Sequence, residues 1–200
     1  MQQESTNLKV LKGRETAERL LGIARKAFSE QGFAASRTEQ IIARAGVTKG
    51  ALYHHFSSKK DLFEAVYRSV EDEVAARISA AVAAIEDPWE QLLGGCYAYL
   101  EACQDPGLQR ILRVDGPSVL GLERWSKIDR EYGVDRLLPA LRNMSAQGVI
   151  NVPSVDAFAW QLTGAMNEAT FWIARHENPQ AALRESKKTL SLMLEGARVQ

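Results

Sequence analysis

The sequence predicts an all-α protein. A three-helix head of helix-turn-helix type leads through one long helix into a helical body, with about nine helices in all. Three observations carry this. Apolar residues recur every three or four positions through most of the chain. Helix-start residues and Gly or Pro breakers alternate along it. The stretch 32–60 reads as two short helices joined by a tight turn, with a third helix starting directly after it. The expected division is an arm over residues 1–13, a head over 14–60 and a body over 61–200.

Taken in order, residues 1–13 show no clear period and are expected to form a mobile arm. Residues 16–31 carry one apolar stripe, Ala17, Leu20, Leu21, Ala24, Ala27 and Phe28, and Gly32 ends that helix. Ser36 and Glu39 read as a capping box for the next helix, whose inner face is Ile41 and Ala45. Gly46 suits the left-handed residue that closes a helix. Thr48 is placed to cap the following one. Val47 and Leu52 sit where a hydrophobic staple would fix the entry angle. Leu52 and Phe56 then face inward, which leaves Thr48, Lys49, Gly50, Tyr53 and His54 facing out.

Residues 59–85 repeat Leu62, Val66, Val70, Val74, Ile78, Ala81 and Ile85 at helical spacing, with Ser58 and Asp61 at the start. At 1.5 Å per residue this is a rod of roughly 40 Å. Asp87-Pro88-Trp89-Glu90 is a helix start, with an acidic cap and proline in the first turn. Cys96 and Cys103 fall on one face of that helix, about 10 Å apart along its axis. That is too far for a disulfide, so both read as buried thiols. A short helix over 105–114 is expected to break at Asp115-Gly116-Pro117 and again at Gly121. Residues 123–147 are helical with bends at Gly133 and Pro139. Two readings stand for this interrupted region: a part that reshapes around a ligand, or an irregular static surface. Residues 154–176 form the most apolar helix, and Asn178-Pro179 starts the last one.

The outward face of residues 48–54 points to nucleic acid. A short helix fits the major groove of B-DNA and its first turn reaches the base edges. Lys49 offers a phosphate or guanine contact. Thr48 and Tyr53 offer hydroxyls to phosphates, and Gly50 allows close backbone approach. Ala51 is placed for a thymine methyl, and Lys59 for the flanking backbone. The competing reading is a helical hairpin with a solvated polar face. Lys9, Lys12 and Arg14 either reach phosphates or a minor groove, or make no contact.

Composition agrees with a nucleic-acid-binding head. The net charge is zero, but residues 1–60 hold 11 Lys/Arg against 5 Asp/Glu, and the rest hold 14 against 20. A basic first third precedes an acidic remainder. No apolar run is long enough for a membrane span. Residues 1–14 lack the apolar stretch of a signal peptide, and two cysteines imply no disulfide framework. A cytoplasmic protein is expected. Enzyme signatures are missing: His54 and His55 are adjacent rather than four apart, and there is no CxxC, GxSxG or phosphate-binding glycine loop. No cofactor and no metal are expected.

The head resembles the N-terminal domain of the TetR family of bacterial transcriptional regulators. The matching residues are Gly32-Phe33, Ser36, Ile41, Ala45-Gly46-Val47, Lys49-Gly50, Leu52-Tyr53-His54-His55-Phe56 and Ser58-Lys59, with Ala27-Phe28 before them. The match covers about residues 14–67. Arg37, Thr38, Glu39 and Gln40 depart from the commonest choices. The resemblance implies a ligand-responsive repressor that binds double-stranded DNA at a palindromic operator, as a homodimer released by a small-molecule inducer. The expected DNA-binding residues are Ser36, Arg37, Thr38, Thr48, Lys49, Gly50, Ala51, Tyr53, His54 and Lys59. Dimerisation through the last two helices is implied, and the apolar residues Phe158, Leu162, Ala165, Leu183, Leu190 and Met193 are the expected interface. All four tryptophans lie in the body. Trp89, Tyr97, Trp125, Asn167, Glu168, Phe171 and Trp172 are the expected lining of an inducer pocket, with Glu168 interrupting an apolar helix that would demand a partner or a cavity for it.

Overall fold

Apolar stripes at helical spacing form helices throughout. The computed structural model describes the backbone of residues 2–199 and side chains from Leu11 onward. The elements are α1 Gln2–Ala35, α2 Thr38–Ala45, α3 Lys49–His55, α4 Lys59–Val82, α5 Pro88–Ala102, α6 Pro106–Gln109, a π-helical turn Arg110–Asp115, α7 Gly116–Leu120, α8 Leu122–Tyr132, α9 Val134–Ala146, α10 Val155–Arg175 and α11 Pro179–Glu195. The all-α class holds. Extended pairing among the described residues is limited to one antiparallel bridge between Ile150 and Arg198.

The chain divides into two compact units. One comprises residues up to 70 together with 107–122; the other comprises 71–106 and the chain from 123 onward. The segment 107–122, expected within the body over 61–200, clusters with the head. The cause is local packing: Ile111 and Leu112 are fully buried, and the π-turn lies against α1. The expected break at Asp115-Gly116-Pro117 does not occur either. Gly116 keeps helical dihedrals (φ −49°, ψ −62°). Pro117 follows within α7. Gly121, at φ 84°, is the residue that stops this segment.

In the first unit, α1 contributes Leu20, Ala24 and Phe28 to the core, α2 Ile41 and Ala45, α3 Leu52, and α4 Leu62, Phe63 and Val66; all are buried. Phe28, Phe33 and Phe63 form a ring triad with centroids 5.3–5.7 Å apart. Helix α1 starts at Gln2, so the backbone over 2–13, where the sequence shows no clear period and a mobile arm was expected, is helical. No Gly or Pro intervenes before Gly13, so a helix nucleated further on extends back through these residues. The side chain of Lys9 lies outside the described residues; Lys12 is exposed, and Arg14 pairs with Glu18.

In the second unit, α5, α9, α10 and α11 share one core. Trp89, Leu92 and Leu100 meet Leu141, Met144, Ala159, Leu162, Ile173, Leu183, Leu190 and Leu194. Helix starts are capped as their sequences suggest: Asp87 accepts from Glu90 N at 2.8 Å, and Asn178 from Ala181 N at 3.0 Å. Cys96 and Cys103 are buried free thiols, and burial pushes the Cys96 thiol up to about 12, so it stays protonated and unreactive at neutral pH. Among the described residues no helix is long and apolar enough to cross a membrane.

Helices α8 and α9 part at Gly133, which leaves helical geometry (φ −91°, ψ −86°) where α10 comes too close for a side chain. A Cβ at this position would lie 2.7 Å from Thr163 Cγ2 and 3.0 Å from Asp129 O. Gly133→Ala is therefore expected to destabilise the protein by about 1–3 kcal/mol, read as a lowered midpoint in thermal unfolding. Adding Thr163→Ser, which removes that methyl, should recover part of the loss.

Candidate nucleic-acid interface

The short helices α2 and α3 are set by their ends. Gly46 adopts φ 63°, ψ 33°, and its N–H closes the last turn of α2 on Ala43 O. Thr48 is extended, and its hydroxyl accepts from Ala51 N at 3.1 Å, which satisfies one orphan donor of α3. Leu52 is then fully buried. The opposite side of α3 points to solvent: Thr48, Lys49, Gly50, Tyr53 and His54 are exposed and Ala51 is half-buried. Tyr53 stays 43 % exposed although aromatic. Lys49 Nζ stands 6.0 Å from the Tyr53 ring centroid, at the limit of a cation–π contact.

Three expected residues are placed differently from the rest. Ser36 is 1 % exposed, and its hydroxyl donates to Gly32 O at 2.8 Å. It is neither the cap of α2 nor open to a phosphate; the helix starts later, with exposed Arg37 in the capping position and no side-chain cap. Thr38 is half-buried. Lys59 turns inward: its ammonium donates to Phe33 O at 2.5 Å and lies 4.2 Å above the Phe33 ring. Partial burial lowers its pKa, against the opposing pull of Asp115 and then Glu39. Lys59 therefore braces the end of α1 in place of the expected grip on a flanking phosphate.

The expected pocket residues disperse through the second unit. Trp89 is 1 % exposed in the core, with Arg198 stacked 4.9 Å from its ring. Tyr97 faces α11, where its hydroxyl bonds Ser191. Trp125 and Phe171 are half-buried, on α8 and α10 respectively. Glu168 is exposed, so the argument that it needs a partner or a cavity falls away: it faces water. Asn167 joins a polar chain that the sequence did not reveal. It accepts from Tyr99 Oη and donates to Asp129 at 3.1 Å. One turn earlier on α10, Thr163 Oγ1 is buried with no partner among the described atoms. Three different helices supply this chain, so no spacing in the sequence signals it. Among the described residues no group of His, Cys, Asp and Glu is arranged to hold a metal.

The expected interface residues divide. Leu162, Leu183 and Leu190 are buried in the chain's own core and Phe158 is packed against it. Ala165 is half-buried and Met193 is 60 % exposed. A cavity of about 290 Å³ lies between α10 and α11, lined by Ala165, Ala169, Trp172, Thr189, Leu190 and Met193, with Leu100 also contributing. It thus combines Trp172, expected in an inducer pocket, with three residues expected at an interface.

Comparison with known proteins bears on both units. Residues 20–66 match the family described as bacterial regulatory proteins, tetR family, and residues 89–197 match the tetracyclin repressor-like C-terminal domain. The HTH-type transcriptional repressor KstR2 of Mycobacterium tuberculosis (strain ATCC 25618 / H37Rv) is 27% identical over 183 residues, covering 88% of this chain and 90% of the relative. The HTH-type transcriptional regulator SrpR of Pseudomonas putida is 26% identical, covering 86% and 90%. The crystal structure of a TetR-family transcriptional regulator from Pectobacterium atrosepticum superposes with a TM-score of 0.79 at 36% identity, covering 95% of this chain and 97% of that one.

The end signals of the two short helices give a direct test. Thr48→Ala should cost about 1 kcal/mol of head stability through the lost cap. Gly46→Ala should cost about 1–2 kcal/mol through left-handed strain. Urea unfolding followed by circular dichroism measures both.

Proposed function

Since the chain belongs to the TetR family of bacterial transcriptional regulators, we propose that two copies dock their α3 helices in successive major grooves of a palindromic operator, that bound protein represses transcription, and that a small molecule held in the second unit releases it. The observation that carries the DNA half is the solvent-facing side of α3, capped by Thr48 and anchored by Leu52, within the residues that match the family's regulatory head. Thr48, Lys49 and Tyr53 meet phosphates and base edges there, with Arg37 at the start of α2. Ala51 and Gly50 allow close approach.

The dimer reading is supported by where apolar surface remains. Trp160, Trp172, Leu192 and Met193 are large hydrophobic residues 45–76 % exposed, all on α10 and α11. Trp172 and Met193 line the groove between those helices, and a second copy would cover that apolar surface. Among the expected interface residues, Ala165, Leu190 and Met193 line the groove directly, while Leu162 and Leu183 are buried in the core. For the inducer, the Tyr99–Asn167–Asp129 chain supports a polar anchor in a body otherwise lined with apolar and aromatic groups. A ligand releases DNA only by binding the released conformation better than the DNA-bound one.

Selection of bound duplexes from random DNA tests the reading, and the absence of any enriched palindrome at low salt would count decisively against it. On the selected operator, Lys49→Ala should weaken binding across related sequences and lower the salt slope by about two, one for each copy. Met193→Arg should convert the dimer to a monomer in light scattering and abolish the preference for a full palindrome over a half-site.

A further inference from the structure

The last turn of α1 is gripped by both ends of one short segment. Arg110 Nη1 donates to Glu30 O at 2.8 Å, and Asp115 Oδ2 accepts from Phe33 N at 2.8 Å. These two residues are five apart, and the segment between them, Arg110–Asp115, is a π-helical turn. In an α-helix, residues five apart are rotated about 140° from one another and face different neighbours. In a π-helix the bonding is i→i+5, so residues five apart stack on one side. The wider turn is therefore what lets one segment hold both groups of α1.

The Phe33 amide is an unusual one. Gly32 leaves helical geometry at φ 81°, ψ 165°, which turns the next N–H out of the helix ladder. Asp115 takes that N–H and Lys59 takes the C=O of the same residue. A Cβ on Gly32 would itself come within 3.5 Å of Asp115 Oδ2. Helix α2 begins at Thr38, a few residues further on.

We propose that the π-turn Arg110–Asp115 is a register-dependent clamp. In π register its end residues hold Glu30 and Phe33 and so seat α2 and α3 for DNA; relaxation to α register withdraws Asp115 and unseats them. Asp115 is then a positioning residue for DNA binding without touching DNA. The chain flanking this segment, at residues 106 and 123, belongs to the other unit. The DNA half of this inference rests on the operator-binding reading above.

Backbone amide exchange by NMR and titration of the selected operator test it together. Asp115→Ala should speed exchange at Phe33 by about tenfold or more, the worth of a hydrogen bond to a charged group. The amides of Leu20 and Phe28 should be unaffected, and operator affinity should fall at least about tenfold. Asp115→Asn, which retains a carbonyl oxygen, should lie between Asp115→Ala and the parent, and serves in its place if that variant does not fold. Val114 is 64 % exposed, so V114D can be added to D115A without burying a charge. It should not restore Phe33 protection, because only α register would swing position 114 toward α1. Unchanged Phe33 exchange in both Asp115 variants, faster exchange with unaltered operator affinity, or rescue by V114D would each overturn the clamp. A parent protein that binds no operator would instead sink the DNA reading, and Phe33 exchange would still decide whether the clamp exists.

Discussion

The head depends on the way the chain leaves α1. Gly32 takes a left-handed conformation that side-chain-bearing residues rarely adopt, and this ends one helix and aims the next. The turn would be costly alone, because it exposes a peptide N–H and C=O beside an apolar ring cluster. Asp115 and Lys59 meet those two groups. A buried amide left without a partner would cost about 1–3 kcal/mol. The Phe33 ring then joins Phe28 and Phe63, and the corner becomes part of the core.

The two helices beyond that corner are eight and seven residues long. Helices so short are not stable in water by themselves. Their orientation comes from Ile41, Ala45 and Leu52, which are buried where α2 and α3 pack on α1 and on each other, and from the Thr48 cap that fixes where α3 begins. The polar face of α3 is what remains after those burials. Its chemistry for DNA is thus a by-product of a small core, and damage to that core would disperse the contact residues without altering any of them.

The second unit shows a different economy. Its aromatic residues do not gather at one pocket. Trp89 fills the core, Tyr97 ties α5 to α11, and Trp160 and Trp172 stay outside. Polar residues converge where Tyr99, Asn167 and Asp129 meet from three helices. The apolar surface left on α10 and α11 lies over a core already complete within one chain.

What the sequence determined by itself was local. Helical period, the glycine at position 46, the threonine cap at 48 and the match of residues 32–59 to a known head are properties of neighbours in the chain, and each is decided within one or two turns. Tertiary structure decided whatever depends on distant residues. The carboxylate of Asp115 lies 82 positions from the amide it holds; Lys59 is drawn to Phe33, 26 positions back; Glu168 faces water. The segment 107–122 joins the head because its apolar residues bury there, and no periodicity records which neighbour a stripe will meet. Hydrophobic burial is non-directional, so a sequence can state that a face must be covered and leave the identity of the cover to the fold.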